Sequence, residues 1–313
     1  MLAMTSLSIP LPRRHLQPLP PLILLCLAAT WLVWGSTYLA IKFSLASFPP
    51  FVGMGSRFIV AGLLLAAWMR WVRRAPWPDA RQWRHALVLG ALMLGGGMGG
   101  TAFAEQSVGS GLVVAFIAIV PVMMAAGQAL MGHWPRRLEA VGIGIGLLGV
   151  LLLTQGQGFG GSTAGLVAIA LACLTWTIGS LLSQKRLPLA PGAMGFASEM
   201  ICGGLVLLLM ATIADEWPVL AAQWPPEPLA VASWIYLVVA GSLIAFNAYM
   251  VLLARAPQLA SSYCYVNPVI ALLLGTTLGG EAVSRGEWLS AGVVLLGVVL
   301  LLAGQARSQR AAA

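Results

Sequence analysis

Apolar stretches of about 20 residues recur along this chain with only short polar connections between them, and that spacing leaves one class of fold. A helix rises ~1.5 Å per residue, so ~20 residues cover the ~30 Å hydrocarbon core of a bilayer. Ten such spans can be drawn, at 21–43, 51–71, 85–104, 111–131, 139–155, 164–183, 192–214, 228–252, 260–280 and 287–306. In lipid every backbone polar group must be satisfied internally, and runs of this length do so as helices. Charged residues make up 8% of the 313 residues, against about 25% in soluble domains. The expected fold is an all-α membrane protein of ten transmembrane helices, and a soluble globular domain is excluded.

The basic residues set the orientation. With the N-terminus inside, fourteen of the 17 Lys and Arg lie in cytoplasmic segments: Arg13, Arg14, Arg70, Arg73, Arg74, Arg81, Arg84, Arg136, Arg137, Lys185, Arg186, Arg255, Arg307 and Arg310. Lys42 and Arg285 fall on the opposite side, and Arg57 is within a span. This positive-inside asymmetry puts both termini in the cytoplasm. The formal charge of +8 therefore reads as membrane topology, not as a nucleic-acid surface. Residues 1–20 read as a disordered cytoplasmic tail and 307–313 as a second tail. The run from Pro21 to Phe43 is too long for a signal-peptide core and is expected to stay as the first span.

An internal repeat divides the chain. Glu139, Gly144 and Leu147-Leu148-Gly149-Val150 return as Glu287, Gly292 and Leu295-Leu296-Gly297-Val298. Pro121 stands 18 residues before the first Glu and Pro268 stands 19 before the second. Ser56-Arg57 echoes Ser198-Glu199, and Gly35-Ser36 echoes Gly179-Ser180. The halves are expected at 21–155 and 164–306, five spans each. Five is odd, so the second copy enters the membrane from the other side, giving two inverted-topology five-helix repeats. That geometry suits alternating access; its competitor is a duplication kept only for fold.

Several segments resemble the EamA-type permeases of the drug/metabolite transporter superfamily, and most closely their YedA-like bacterial inner-membrane members. They are Trp34-Gly35-Ser36-Thr37-Tyr38, Pro49-Pro50, Arg57-Phe58, Ala104-Glu105-Gln106, Asn247-Ala248-Tyr249-Met250, Ser262 through Val269 and Gly279-Gly280-Glu281, in the family's order over roughly residues 25–305. The resemblance implies a multi-pass inner-membrane protein with a central cavity, whose characterised relatives export amino acids or other metabolites or confer drug resistance. Cys264 departs from the alanine expected at its place.

Ionisable groups within spans are costly in lipid and are candidate functional sites. Arg57 lies about 9 Å in from the outer face and Glu199 about 10 Å in from the cytoplasmic face at the helical rise. They are expected to face one cavity, Arg57 drawing anionic groups and Glu199 amino groups or a proton, with Glu105 as a partner for Arg57. The competing readings are snorkelling of Arg57 to the headgroups and pairing of Glu199 with Lys185 or Arg186. Trp34, Tyr38, Trp176, Tyr263, Tyr265 and Asn267 are candidate cavity-lining residues, with core packing as the alternative for the two indoles. Ser36 and Asn247, within matching segments, join this set. Pro121 and Pro268 are expected to bend their spans, and Gly97, in the run Gly95-Gly96-Gly97-Met98-Gly99-Gly100, is a candidate hinge.

The expected function is a secondary transporter, an exporter of small metabolites such as amino acids or related amphipathic compounds. Its partners are the bilayer and a small-molecule substrate, with protons or facilitated exchange both open and monomer or homodimer unassigned. A non-transporting scaffold and an intramembrane enzyme are the alternatives. The enzyme is disfavoured because no catalytic constellation is readable. No cofactor is expected: there is no Walker motif, and His15, His85 and His133 fall in tails or loops with no metal-site pattern. Cys26, Cys173, Cys202 and Cys264 read as small buried hydrophobes. The topology predicts that a fluorescent protein fused after Ala313 matures in the cytoplasm, whereas alkaline phosphatase fused there stays inactive. The reverse pattern would place that end outside.

Overall fold

The computed structural model describes residues 19–108, 113, 116–154, 161–278 and 284–312. Among these residues the regular structure is helical throughout. The long elements are α1 (Pro21–Ser44), α2 (Pro50–Val72), α3 (Ala80–Ala104), α4 (Val120–Leu130), α5 (Arg137–Thr154), α6 (Thr163–Lys185), α7 (Ala193–Ile213), α8 (Pro228–Arg255), α9 (Tyr263–Leu278) and α10 (Arg285–Ala312). Short helices at Glu216–Ala222 and Pro257–Ala260 join α7 to α8 and α8 to α9. Six helices, α1, α2, α3, α6, α7 and α8, are long and apolar enough to cross a membrane, with shorter apolar helices at Val120–Leu130 and Trp288–Gly304.

The helix starts follow from local chemistry. Proline opens α1, α2 and α8, where its missing N–H costs nothing and its fixed φ already suits a helix. A capping box opens α3: Gln82 N–H donates to Asp79 Oδ1 at 2.8 Å, and Asp79 N–H donates to Gln82 Oε1 at 2.9 Å. This helix therefore begins five residues ahead of the expected span at 85, and His85 lies within it and not in a loop, its Nδ1 2.8 Å from the Pro188 carbonyl oxygen. The expected span 111–131 is broken where Pro121 stands: Ala118 and Ile119 form a turn, and α4 starts at Val120 with Pro121 in its first turn. Pro268 lies inside α9. α10 runs on to Ala312, past the expected end at 306. Residues 1–18, most of the expected tail, and the segment Gly279-Gly280-Glu281 lie outside the described residues.

The helix pairing reads the same from either half. α2 packs along α7 and α5 along α10; α1 meets α8 and α9 as α6 meets α3 and α4; α3 crosses α7 as α8 crosses α2. Lipid supplies no hydrophobic drive between helices, so these pairs rely on close backbone approach at small residues. A Cβ on Gly62 would stand 3.0 Å from the Ala197 carbonyl oxygen, and one on Gly149 2.6 Å from the Val294 nitrogen. Within the third helix of each half a wide, π-helical stretch interrupts the α-helix, at Gly90–Gly99 and at Leu237–Phe246. Such departures are rare and recur at functional sites.

One tie between the halves is electrostatic. Glu216 is 7% exposed, and its carboxylate accepts Phe51 N–H at 3.2 Å and Val52 N–H at 2.8 Å. These are among the donors that the first turn of α2 leaves without an intrahelical partner, so Glu216 caps α2 from a distant part of the chain. Burial pushes the Glu216 carboxyl up, against the opposing pull of the Val52 and Phe51 N–H groups. Glu216→Ala is expected to lower stability by about 1–2 kcal/mol, as lost caps do. Gly149→Leu is expected to cost at least about 1–3 kcal/mol by overpacking the α5–α10 crossing. Thermal unfolding in detergent checks both.

Candidate functional site

Four helices present one face each to a common cavity of about 60 Å³. From α1 come Trp34, Thr37, Tyr38 and Ile41, spaced at i, i+3, i+4 and i+7, the repeat of a single helical face. From α3 come Gly97, Met98 and Thr101; from α6, Ala172, Cys173 and Trp176; and from α9, Tyr263 and Asn267, four apart. Arg57 of α2 and the apolar Ile117 and Val120 complete the described wall. The contributors from α1 and α3 lie in the C-terminal halves of those helices, and Arg57 in the N-terminal half of α2. The cavity thus belongs to the half of the bundle near the Leu45–Pro49 connection.

Its base is a cluster of aromatic rings. Trp34 lies 4.7 Å from Tyr263, 5.1 Å from Tyr249 and 5.7 Å from Trp176, ring centre to ring centre. Trp176 lies 5.1 Å from Tyr249, which lies 5.7 Å from Tyr263. These separations suit attractive edge-to-face and tilted contacts. Each polar edge finds a partner: Trp34 Nε1–H donates to the Gly241 carbonyl at 3.3 Å, and Trp176 Nε1–H to the Tyr249 hydroxyl at 3.0 Å. The Ser180 hydroxyl lies 2.8 Å from the same Tyr249 oxygen. The indoles from the first helix of each half therefore meet, and they serve at once as core and as cavity wall.

Arg57 is 1% exposed, which rules out snorkelling. Its Nε donates to Ser242 Oγ at 3.0 Å and its Nη1 to Met54 Sδ at 3.3 Å, while the guanidinium carbon sits 4.5 Å from the centre of the Phe58 ring. Ser242 lies within the wide stretch of α8, and its own hydroxyl donates to the Leu237 carbonyl five residues back. Asn267, with its amide turned to satisfy its neighbours, donates to the carbonyls of Tyr263 at 3.1 Å and Trp31 at 3.2 Å.

The candidates separate into two groups. Trp34, Tyr38, Arg57, Gly97, Trp176, Tyr263 and Asn267 line the cavity. Ser36, Glu105, Glu199, Asn247, Tyr265 and the two prolines do not. The Ser36 hydroxyl lies 2.7 Å from the Val33 carbonyl and 2.6 Å from the Tyr236 hydroxyl. Asn247 bonds back to the Leu243 carbonyl, and Tyr265 donates to the Ile143 carbonyl at 3.0 Å. Pro121 borders a separate small cleft with Gln128 and Ser261. Glu105 Oε1 and both Glu199 carboxylate oxygens are buried with no hydrogen-bond partner among the described residues. Arg57 does not pair with Glu105, and Glu199 pairs with neither Lys185 nor Arg186; Lys185 Nζ instead approaches His133 Nε2 at 3.4 Å. The expected single cavity shared by Arg57 and Glu199 is not the arrangement seen. Thr37 and Thr101 were not among the expected wall residues, yet each falls in helical phase with one that was. Ser242 carries no such signal.

The sequence matches the model of the EamA-like transporter family at residues 21–155 and again at 163–303, so this chain belongs to that family. It is 41% identical over 281 residues to the inner membrane transporter YedA of Escherichia coli (strain K12), covering 89% of this chain and 90% of that protein. It is also 29% identical to protein PecM of Dickeya dadantii over 86% of each chain. A solved crystal structure at 20% identity superposes with a TM-score of 0.68, covering 90% of this chain and 96% of the other, which shows the shared fold.

Gly97 keeps the base of the cavity in place, because a Cβ there would stand 2.9 Å from Trp176 Cε3. Gly97→Ala is expected to displace the indole, shift tryptophan emission and lower the unfolding temperature in detergent. Gly144→Ala, where a Cβ meets nothing within 4 Å, is the control expected to change neither.

Proposed function

We propose that this protein is a secondary transporter of small amphipathic metabolites, an exporter of the bacterial inner membrane working by alternating access. Ten spans in two inverted five-helix repeats carry the mechanism, the first within 21–155 and the second within 164–306, with both termini cytoplasmic. The short α4 and α9 and the broken segment before Pro121 count as spans in this reading. The observation that carries it is the cavity itself. Both halves build its wall, and Trp34 and Trp176, each from the first helix of its half, close its base.

With the cytoplasm on the side of Arg70, Arg136 and Arg255, this conformation has its cavity in the outer half of the membrane. The inward-facing counterpart follows from exchanging the roles of the two halves. Separating Trp34 from Trp176 would open the base toward the cytoplasm, while the α2 end held by Glu216 would close above. The two wide helical stretches, one per half, are the elements that could take up the change in helix shape. They border the moving parts: Gly97 lines the cavity, and Gly241 holds Trp34.

The test is two-sided access to one position. Thr101 lines the cavity and is partly exposed. In a variant with Cys26, Cys173, Cys202 and Cys264 replaced by Ala, Thr101→Cys is expected to react with a membrane-impermeant thiol reagent from the periplasmic side and, in inverted vesicles, also from the cytoplasmic side. Reaction from one side alone under all conditions, together with no saturable flux in proteoliposomes across a broad metabolite panel, would replace transport with the scaffold reading.

A further inference from the structure

We propose that the ligand of the cavity is a small organic anion, a single carboxylate on an apolar planar body, held by the Arg57 guanidinium. The proposal rests on the transport reading above and narrows it.

Charge is the first argument. A guanidinium stays protonated in proteins, and a buried cation without a counter-charge costs several kcal/mol. Among the described residues every partner of Arg57 is neutral: the Ser242 hydroxyl, the Met54 thioether and the Phe58 ring. Among the described residues no carboxylate pairs with it. Those bonds commit two of its five N–H groups, Nε and one on Nη1. The remaining donors can form the two-pronged contact that a planar carboxylate accepts.

The rest of the wall sets the body of the ligand. Trp34, Trp176, Tyr38 and Tyr263 offer aromatic surface, and Thr37, Thr101 and Asn267 offer neutral polar groups. The described wall carries no negative side chain. Glu105 follows the end of α3, one turn beyond Thr101 and close enough to Tyr38 to act on it electrostatically, and Glu199 lies on α7; neither lines the described wall. An ammonium entering this space would leave water for a cationic site with no anion to receive it, which is unfavourable. The geometry therefore selects against amines and zwitterions and for an anion of the same shape.

A matched trio of probes decides the matter: 3-phenylpropionate, phenethylamine and phenylalanine, which share a ring and differ in charge. Binding to the full-length protein in detergent is read by tryptophan quenching and by thermal stabilisation. 3-Phenylpropionate is expected to bind at least about tenfold tighter than either of the others, in line with the penalty for an unmatched buried charge. Arg57→Gln should abolish that preference, and Arg57→Lys, which keeps the charge without the fork, should retain part of it. Ser242→Ala leaves Arg57 in place but frees Nε, and should weaken 3-phenylpropionate several-fold while keeping the order of the three. That variant carries the test if Arg57→Gln does not purify as a single species.

Phenylalanine binding as tightly as 3-phenylpropionate would overturn the proposal, as would no binding by any of the three. So would an unchanged preference in Arg57→Gln, or an unchanged affinity in Ser242→Ala. Proteoliposome flux separates the two levels. Arg57-dependent anion binding without flux would leave the site standing and remove the transport reading. Saturable flux of other solutes without anion binding would do the opposite.

Discussion

Backbone-to-backbone contact between equivalent helices is the constraint on which the rest of this structure depends. Lipid tails are as apolar as leucine, so burying aliphatic side chains against one another gains little in a membrane. What remains is packing, and it improves as helices approach. α2 meets α7 and α5 meets α10 through glycines whose missing side chains admit the opposite backbone. These two crossings join each half to its copy and leave the intervening helices free to diverge. The cavity occupies that divergence, between α1, α2, α3, α6 and α9.

Polar groups in this protein follow the same rule in a different way. Most hydroxyls within the helices bond back to a carbonyl three or four residues earlier, as Thr30, Thr37, Thr177 and Ser198 do. Such groups are satisfied and carry no further obligation. Arg57, Glu105 and Glu199 break the pattern, since a charge has no equivalent in local back-bonding. Arg57 is set apart from the two carboxylates by its place in the cavity wall.

The aromatic cluster ties the two halves together beside the cavity. Trp34 and Trp176 come from the first helix of each half, and their contact joins the halves at the base of the cavity. Tyr249 bonds to Trp176 and lies near Ser180 while contacting Trp34 and Tyr263, so four helices converge on one small set of rings. Ring contacts and a few hydrogen bonds, each worth about 1 kcal/mol, close the base.

The sequence by itself determined the membrane class, the all-helical fold and the duplication, because apolar length and repeated motifs are local properties of the chain. It also marked Trp34, Tyr38, Arg57 and Asn267, because intramembrane polarity is visible in one dimension. Six helices are long and apolar enough to span outright, α4 is shortened because Pro121 resets it, and Asp79 extends α3 backwards. Those boundaries depend on proline placement and capping within a turn or two. Only the tertiary structure decided which polar residues share a space. Ser242 reaches Arg57 from 185 residues away, while Glu199, equally conspicuous in sequence, is buried outside the cavity wall. Helical phase assigns a side chain to a face, but the neighbour opposite that face is set by the rotation of another helix, which no local pattern encodes.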